Sequence, residues 1–395
     1  MANANASQQY ISYVAESSYG VTPGTPTMLL LRHTGNSLNA AKTALISEER
    51  RSDGQVPFVR HGMQKLEGMI VDFELSYLSL KDWIRNVLRY SLTAARFISS
   101  IDTSTNTLSW AATDDSVTRT SGSFITDGAL VGMRVRVTNP SGSAGQADAV
   151  LTITVVTALK LTFAENVITL QTQTTGTCIF ECDYATNGVT ENSFSMERGF
   201  SDVVQYDHFT GGKASQLSLA LALDALVTGS ISIIAQDQAT DAVTADATPD
   251  DVDTSKPMST DAGSLEEGGS ASAIVLAANL TLANGRRGLG VLGDANIVEI
   301  SAGRHMYSGN LTALFPDAAL LNKFLDETET SLRFALQDPA GNEMNIYFPS
   351  VLYTGAERAP SGDDVVQQNM PWQAFRNTTR GTSVEISMTP DTAAV

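Results

Sequence analysis

Residues Leu66–Leu88 read LEGMIVDFELSYLSLKDWIRNVL, and their patterning decides the fold class. Met69, Val71, Phe73 and Leu75 point one way while Asp72, Glu74 and Ser76 point the other, the period-2 signature of a strand with one buried face. Ser79 is placed to cap a helix whose Leu80, Trp83, Ile84, Val87 and Leu88 fall on one stripe. The expected unit is a strand, a tight turn and an amphipathic helix lying back across the sheet.

The unit recurs. From Tyr307 the chain reads YSGNLTALFPDAALLNKFLDE, with Gly309 for Gly68, Leu314 for Phe73, Leu321 for Leu80, Phe324 for Trp83 and Leu325 for Ile84, all at an offset of 241. Ala313 and Phe315 stand where Asp72 and Glu74 stood, so the outer faces differ. After the second helix comes Thr328–Leu332, TETSL, which echoes Thr190–Phe194, TENSF, at an offset of 138. The two offsets differ by 103 residues. One fold present twice, with an insertion of that order after the first helix, is the simplest account, and internal repeats are settled first.

The chain of 395 residues is 42% hydrophobic and 17% charged, ordinary globular composition with material for more than one core. Its wealth of Thr, Ser, Ala and Val, with few helix-periodic stretches, predicts a mainly β protein, a β-sandwich or barrel with flanking α-helices. No run approaches 18 apolar residues, so no membrane span is expected. The opening MANANASQQY has neither a basic nor an apolar leader region, so no secretory signal is expected. Cys178 and Cys182 on one strand would sit roughly 13 Å apart, too far for a disulfide, and without further ligands they read as buried thiols. A formal net charge of −18 repels nucleic acid at long range.

Residues 1–27 read as a polar arm broken by Pro23-Gly24-Thr25-Pro26. Met28–Arg32 and Ala44–Ser47 read as short strands. Ser47–Lys65 has no clean period and mixes both charges, with Glu49, Arg50, Arg51 and Asp53 near its start; such a long loop is usually functional. A similar charged run, with Glu197, Arg198 and Asp202, leads into a second expected loop over Ser201–Gly212. Residues 95–185 hold short β-branched runs joined by Gly, Ser and Asn turns and read as an inserted small β domain. The expected division is therefore 1–94 with 186–237 as the first copy, 95–185 as the insertion, 238–271 as an acidic linker, and 272–395 as the second copy. Nine acids and one lysine between Asp237 and Glu267 support the linker.

No catalytic constellation emerges, so no enzyme and no cofactor are expected. His33, His61, His208 and His305 are scattered. Gly211-Gly212-Lys213 lacks the residues of a phosphate loop, and Gly285–Gly290 lacks dinucleotide spacing. Asp250-Asp251-Val252-Asp253 lacks the pattern of a calcium loop.

Several stretches together resemble a bacteriophage tail tube (major tail) protein of the long, non-contractile-tailed class. They are YVAESSYGVTPGTPT, ISEERRSDGQ, SFSMERGFSDVVQYDHFTGG and MYSGNLTALFPDAALLNKFLDETETSLRFALQDPAGNEMNIYFPSV. The resemblance implies a structural virion protein, assembled in the host cytoplasm, whose β-sandwich subunits join into stacked rings around a tape measure protein. The tail terminator and tail tip proteins would be further partners. DNA would pass through the lumen unbound during ejection, and no membrane is involved. The charged loops would make the contacts between rings, and the insertion would decorate the outside. Asp72 and Glu74, opposite the core face of their strand, are candidate lumen residues. With two folds per chain, a ring of six folds would close from three chains. A secreted or surface β-sandwich adhesin is the alternative, separable by electron microscopy of the purified protein.

Overall fold

The computed structural model describes residues 3–92, 97–138, 149–251, 254–272, 274–315, 317–358 and 365–389. The expected boundary at residues 94 and 95, Val252 and Asp253 of the acidic cluster, and residues 390–395 lie outside these. The first stretch forms β1 (Gln9–Ala15), β2 (Leu29–Leu30), β3 (Gly35–Asn36), β4 (Ala41–Ile46), β5 (Val59–Lys65), β6 (Met69–Glu74) and α1 (Lys81–Leu88). Then come β7 (Phe97–Asp102), β8 (Leu108–Ala111), β9 (Ser116–Arg119), β10 (Arg134–Thr138), β11 (Val150–Val156), β12 (Lys160–Phe163), β13 (Gln171–Gln173) and β14 (Thr177–Thr186). The chain continues through β15 (Phe194–Phe200), β16 (Gln205–Ala222), β17 (Thr228–Ile234), β18 (Asp237–Asp241), β19 (Asp250–Asp251), β20 (Ser259–Glu267) and β21 (Ser270–Ala271). It ends with β22 (Val275–Ala283), β23 (Arg287–Leu289), β24 (Glu299–Ser301), β25 (Met306–Leu314), α2 (Ala319–Leu325), β26 (Thr330–Gln337), β27 (Glu343–Tyr353), β28 (Glu357–Arg358), β29 (Gln367–Ala374) and β30 (Glu385–Thr389). The protein is mainly β, as its composition leads one to expect.

The alternation of β6 is realised: Met69, Val71 and Phe73 are buried, and Ile70 and Asp72 face out. Leu80, Trp83, Ile84, Val87 and Leu88 are buried against that core. Trp83 packs on Phe194 and Tyr13 with ring centroids 4.7 and 5.4 Å away. Ser79 does not cap the helix. Its hydroxyl bonds back to Ser76, the helix starts at Lys81, and burial of the apolar stripe is what fixes its place.

Two layers enclose the core of the first half. One runs β3–β6–β17–β16 and continues without a break through β22, β25 and β29 to β27. The other runs β2–β1–β15–β16–β18. The long strand β16 belongs to both, bending at Gly211, whose φ of +66° favours glycine.

The pairings of the first half recur in the second. β6–β17 answers to β25–β29, β1–β15–β16 to β20–β26–β27, and β18, on the early half of β16, to β30 on the early half of β27. The hairpins β4–β5 and β23–β24 each precede the strand of the quoted motif. The residue correspondence is one off the sequence match. At an offset of 241, exposed Ile70 would align with buried Leu311. An offset of 240 aligns buried Val71 with Leu311, buried Phe73 with Ala313, and Leu80 and Ile84 with Leu320 and Phe324, which pack on the core. A slip of one residue exchanges the two faces of a strand, so burial decides between the two. The outer-face counterparts of Asp72 and Glu74 are then Thr312 and Leu314. None of α2 is fully buried, and Leu325 is exposed, so the second helix covers less core than expected.

Four segments expected to lack regular structure carry strands. The N-terminal arm contains β1, whose Ile11 and Tyr13 are buried, paired along its length with β15. The end of the expected loop Ser47–Lys65, Val59–Lys65, is β5, and most of Ser201–Gly212 is β16. The expected acidic linker 238–271 holds β18 to β21, with β20 paired to β26 inside the second half's sheet. Acids strewn along this run read as a solvated linker, while the strands that pair with β18, β19 and β20 lie outside it in sequence.

Strands β7 to β14 enclose their own apolar cluster around Trp110, Phe124 and Phe180, which also buries the thiols of Cys178 and Cys182. The last residues of β14 leave this module: Asp183–Thr186 pair with β30, and Asp183 takes ion pairs from Lys81 and Arg85.

The halves are also locked by a buried polar node just after β22. Arg286, with no exposed side-chain surface, donates from Nη1 to Asn86 Oδ1 (2.6 Å) and to the carbonyls of Asn86 and Ala214 (3.1 and 2.9 Å). Its Nη2 reaches Glu191 at 3.0 Å. Burial pushes the Glu191 carboxyl up, but Arg286, Lys213 and Arg89 together hold it below its ordinary value. Removing one partner of such a pair strands the others, so Arg286→Ala is expected to cost about 3–5 kcal/mol, read from the denaturant midpoint. The exposed Arg287→Ala should change it by under about 0.5 kcal/mol. Because the folded-state value of Glu191 is depressed, its contribution is present above the unfolded value and is lost as pH falls through the folded one. The midpoint difference between wild type and Glu191→Gln should therefore shrink on acidification.

Candidate functional site

Two surfaces stand out, and the first follows from strand alternation. It is the open face of the long sheet. Asp72, Ser230, Ser218, Thr281, Ser308 and Gln373 lie side by side on six successive strands. The next row reads Glu74, Thr228, Ala220, Asn279, Asn310 and Pro371. The residues that alternate with these rows along the strands, such as Ile231, Leu219, Leu280, Leu311 and Met370, point into the core. The face is thus a field of hydroxyls and amides, with Asp72 and Glu74 at its β6 border. Gly229, on the core side between Thr228 and Ser230, is required as glycine, since a Cβ there would stand 2.3 Å from the Ser218 carbonyl oxygen and 2.6 Å from the Phe73 ring. No lysine or arginine occurs in β6, β17, β22, β25 or β29, or in β16 beyond Lys213. A surface without cations gives a polyanion no counterion-releasing contact. Carboxylates alone do not make this surface; its neutrality does.

The second surface is the hairpin β4–β5. Every residue of β4 is exposed, as are Glu49, Arg50, Arg51 and Asp53 in the turn. Leu45, Ile46, Val56, Phe58 and Val59 are each 57–60% exposed, which is unusual for large apolar side chains gathered on one hairpin. Arg51 lies over the Phe58 ring at 5.1 Å. The charges stood out in the sequence; the apolar flank was missed, although VPFV beside ALI marked it.

The other loop candidates are not brought here. Glu197 sits on β15, fully buried, and accepts hydrogen bonds from Tyr10 Oη (2.7 Å), Thr244 Oγ1 (2.8 Å) and Ala245 N (2.6 Å). Arg198 pairs with Asp207 at 2.6 Å and lies over Phe200 and Phe209. Asp202, in the turn before β16, accepts from the backbone N–H of Asn5. These groups fasten the N-terminal strand and residues 244–245 to β15, and do not reach outward. Phe194 and Met196, alternating before them, were the signal that this run is a strand.

A protein-family model described as phage tail tube protein matches residues 6–374. No curated protein matches the chain.

The two faces of the long sheet should respond oppositely to charge. Ser230→Lys with Thr281→Lys is expected to move the unfolding midpoint by the equivalent of under about 0.5 kcal/mol. Ile231→Lys, one residue along the same strand, buries an unpaired ammonium and should abolish the cooperative unfolding transition.

Proposed function

The chain belongs to the phage tail tube protein family, and we propose that three copies close a ring whose sheets join around a lumen, with rings stacked into the conduit that carries DNA. The single observation that carries this reading is the seam between β16 and β22, where one sheet passes from the first half to the second over seven residue pairs. The corresponding edge of β27, beyond its last β26 pair at Val351, has no strand partner among the described residues. An unpaired edge is a template for another chain, and β3 with the start of β4 is the counterpart of β22 that a neighbour would offer. Six folds from three chains then complete the circle, pseudo-six-fold in architecture and three-fold in sequence.

In such a ring the hydroxyl and amide face lines the lumen, with Asp72 and Glu74 recurring three times at its borders. Neutral polar groups stay hydrated and hold no phosphate, which suits DNA that must slide. The hairpin β4–β5, with Glu49, Arg50, Arg51 and Asp53, takes the contacts between rings; Glu197, Arg198 and Asp202 are left to intrachain roles. The module of β7 to β14 stands outside the wall. The tape measure protein would occupy the lumen during assembly in the host cytoplasm, and terminator and tip proteins would close the ends.

Cryo-electron microscopy of assembled protein should show strict three-fold symmetry, with three outer modules per ring. Six modules, or six chains, would refute the arrangement. Replacing Phe97–Cys182 by a short Gly/Ser linker should leave tubes intact, because Asp183–Thr186 stay in place against β30 and Arg85. Extending the excision through Thr186 should lower the unfolding midpoint and the tube yield. Tubes lost on the shorter excision would place the module in the wall.

A further inference from the structure

The sheet has two unlike ends. Hairpin β4–β5 leaves it where β6 begins, since Ala41 pairs with Lys65 just before Met69. At the opposite end, beyond Glu74 and its row neighbours Thr228, Ala220 and Asn279, an open groove of about 300 Å³ lies between the two layers at the junction of the halves. Leu221, Leu223, Leu265, Val275, Leu276 and Phe334 line it. Leu223, at 74% exposure, stands clear of the core at its mouth.

The two ends match in chemistry. The hairpin, Ala41–Lys65, brings exposed Val56 and Phe58 together with five cations (Lys42, Arg50, Arg51, Arg60, Lys65) against three carboxylates (Glu48, Glu49, Asp53). In a chain of net charge −18 this is a positive island. Beside the residues that line the groove stand exposed carboxylates: Asp224 follows Leu223, and Asp261 follows Thr260. We propose that the apolar flank of the hairpin, led by Phe58 and Val56, seats in this groove of a second copy of the chain in the adjoining ring. The contact is heterologous, a head on a tail, and such contacts propagate into open-ended stacks. The apolar anchors would supply the contact, and the charges would select head against tail. This rests on the stacking reading above and names the surface that receives the hairpin.

Phe58→Asp and Leu223→Asp test the two sides separately. Both side chains are exposed in the single chain, so the unfolding midpoint of unassembled protein should be unchanged. Electron microscopy and sedimentation should show tubes lost in both variants. A chain carrying Phe58→Cys and Leu223→Cys should form disulfide-linked multimers on assembly and none before it; Cys178 and Cys182 are buried and should not take part. Tubes that form normally with Leu223→Asp and without the cross-link would overturn the groove. If Phe58→Asp alone then abolishes them, the stacking role of the hairpin survives. Normal tubes from both variants would sink that role as well, and wild-type chains that never assemble would overturn both readings.

Discussion

The architecture depends on one buried guanidinium. Arg286 lies where β22 hands over to β23, and the groups it satisfies belong to α1, β16 and the segment before β15. Asn284 adds bonds to the carbonyls of Val87 and Ala214 at 3.0 and 2.9 Å. A charge without water is tolerated only when its donors are met in good geometry. The node therefore admits one placement of the second half against the first. The β16–β22 seam could by itself slip in steps of two residues without exposing a core face; the node removes that freedom.

With the halves held in register, the long sheet becomes a single surface with two characters. Its inner side packs Val71, Phe73, Ile231, Leu219, Leu280, Leu311 and Trp372 against the other layer. Its outer side carries hydroxyls and amides that hydrate without attracting polyanions. The rim is different: the apolar hairpin and the open groove lie at opposite ends, with an unfilled strand edge at the side. Monomeric β proteins protect such features with charge, bulges or covering segments. Among the described residues, none covers them in the single chain.

The charged residues of ERGFSD and SEERRSD look alike in the sequence and do different work in the fold. Glu197 and Arg198 are consumed by Tyr10, Thr244 and Asp207, partners up to 187 residues away. Glu49 and Arg50 sit in an exposed turn with no such partners brought to them among the described residues. Composition is the same in both; what differs is whether another strand runs alongside. The N-terminal β1, read as part of a polar arm, shows the same effect. Its Tyr-Ile-Ser-Tyr-Val run is too short to declare itself until β15 supplies the other half of the ladder.

The sequence by itself determined the β-rich class, the strand–helix unit at Leu66–Leu88, its recurrence some 240 residues later, the existence of a separate β stretch between them, and the family resemblance. All of these are written in local periodicity or in the order of short motifs, which need no knowledge of partners. Tertiary structure decided the residue-level correspondence of the two halves, the strands hidden in the arm and the acidic segment, the burial of Glu197, and the neutral face and uncovered hairpin. Each of these is a matter of which side of a strand meets another strand. Backbone pairing joins residues far apart in the chain, and a shift of one position reverses every side chain. Local pattern cannot carry that information, because it lies in the register between segments and not within any one of them.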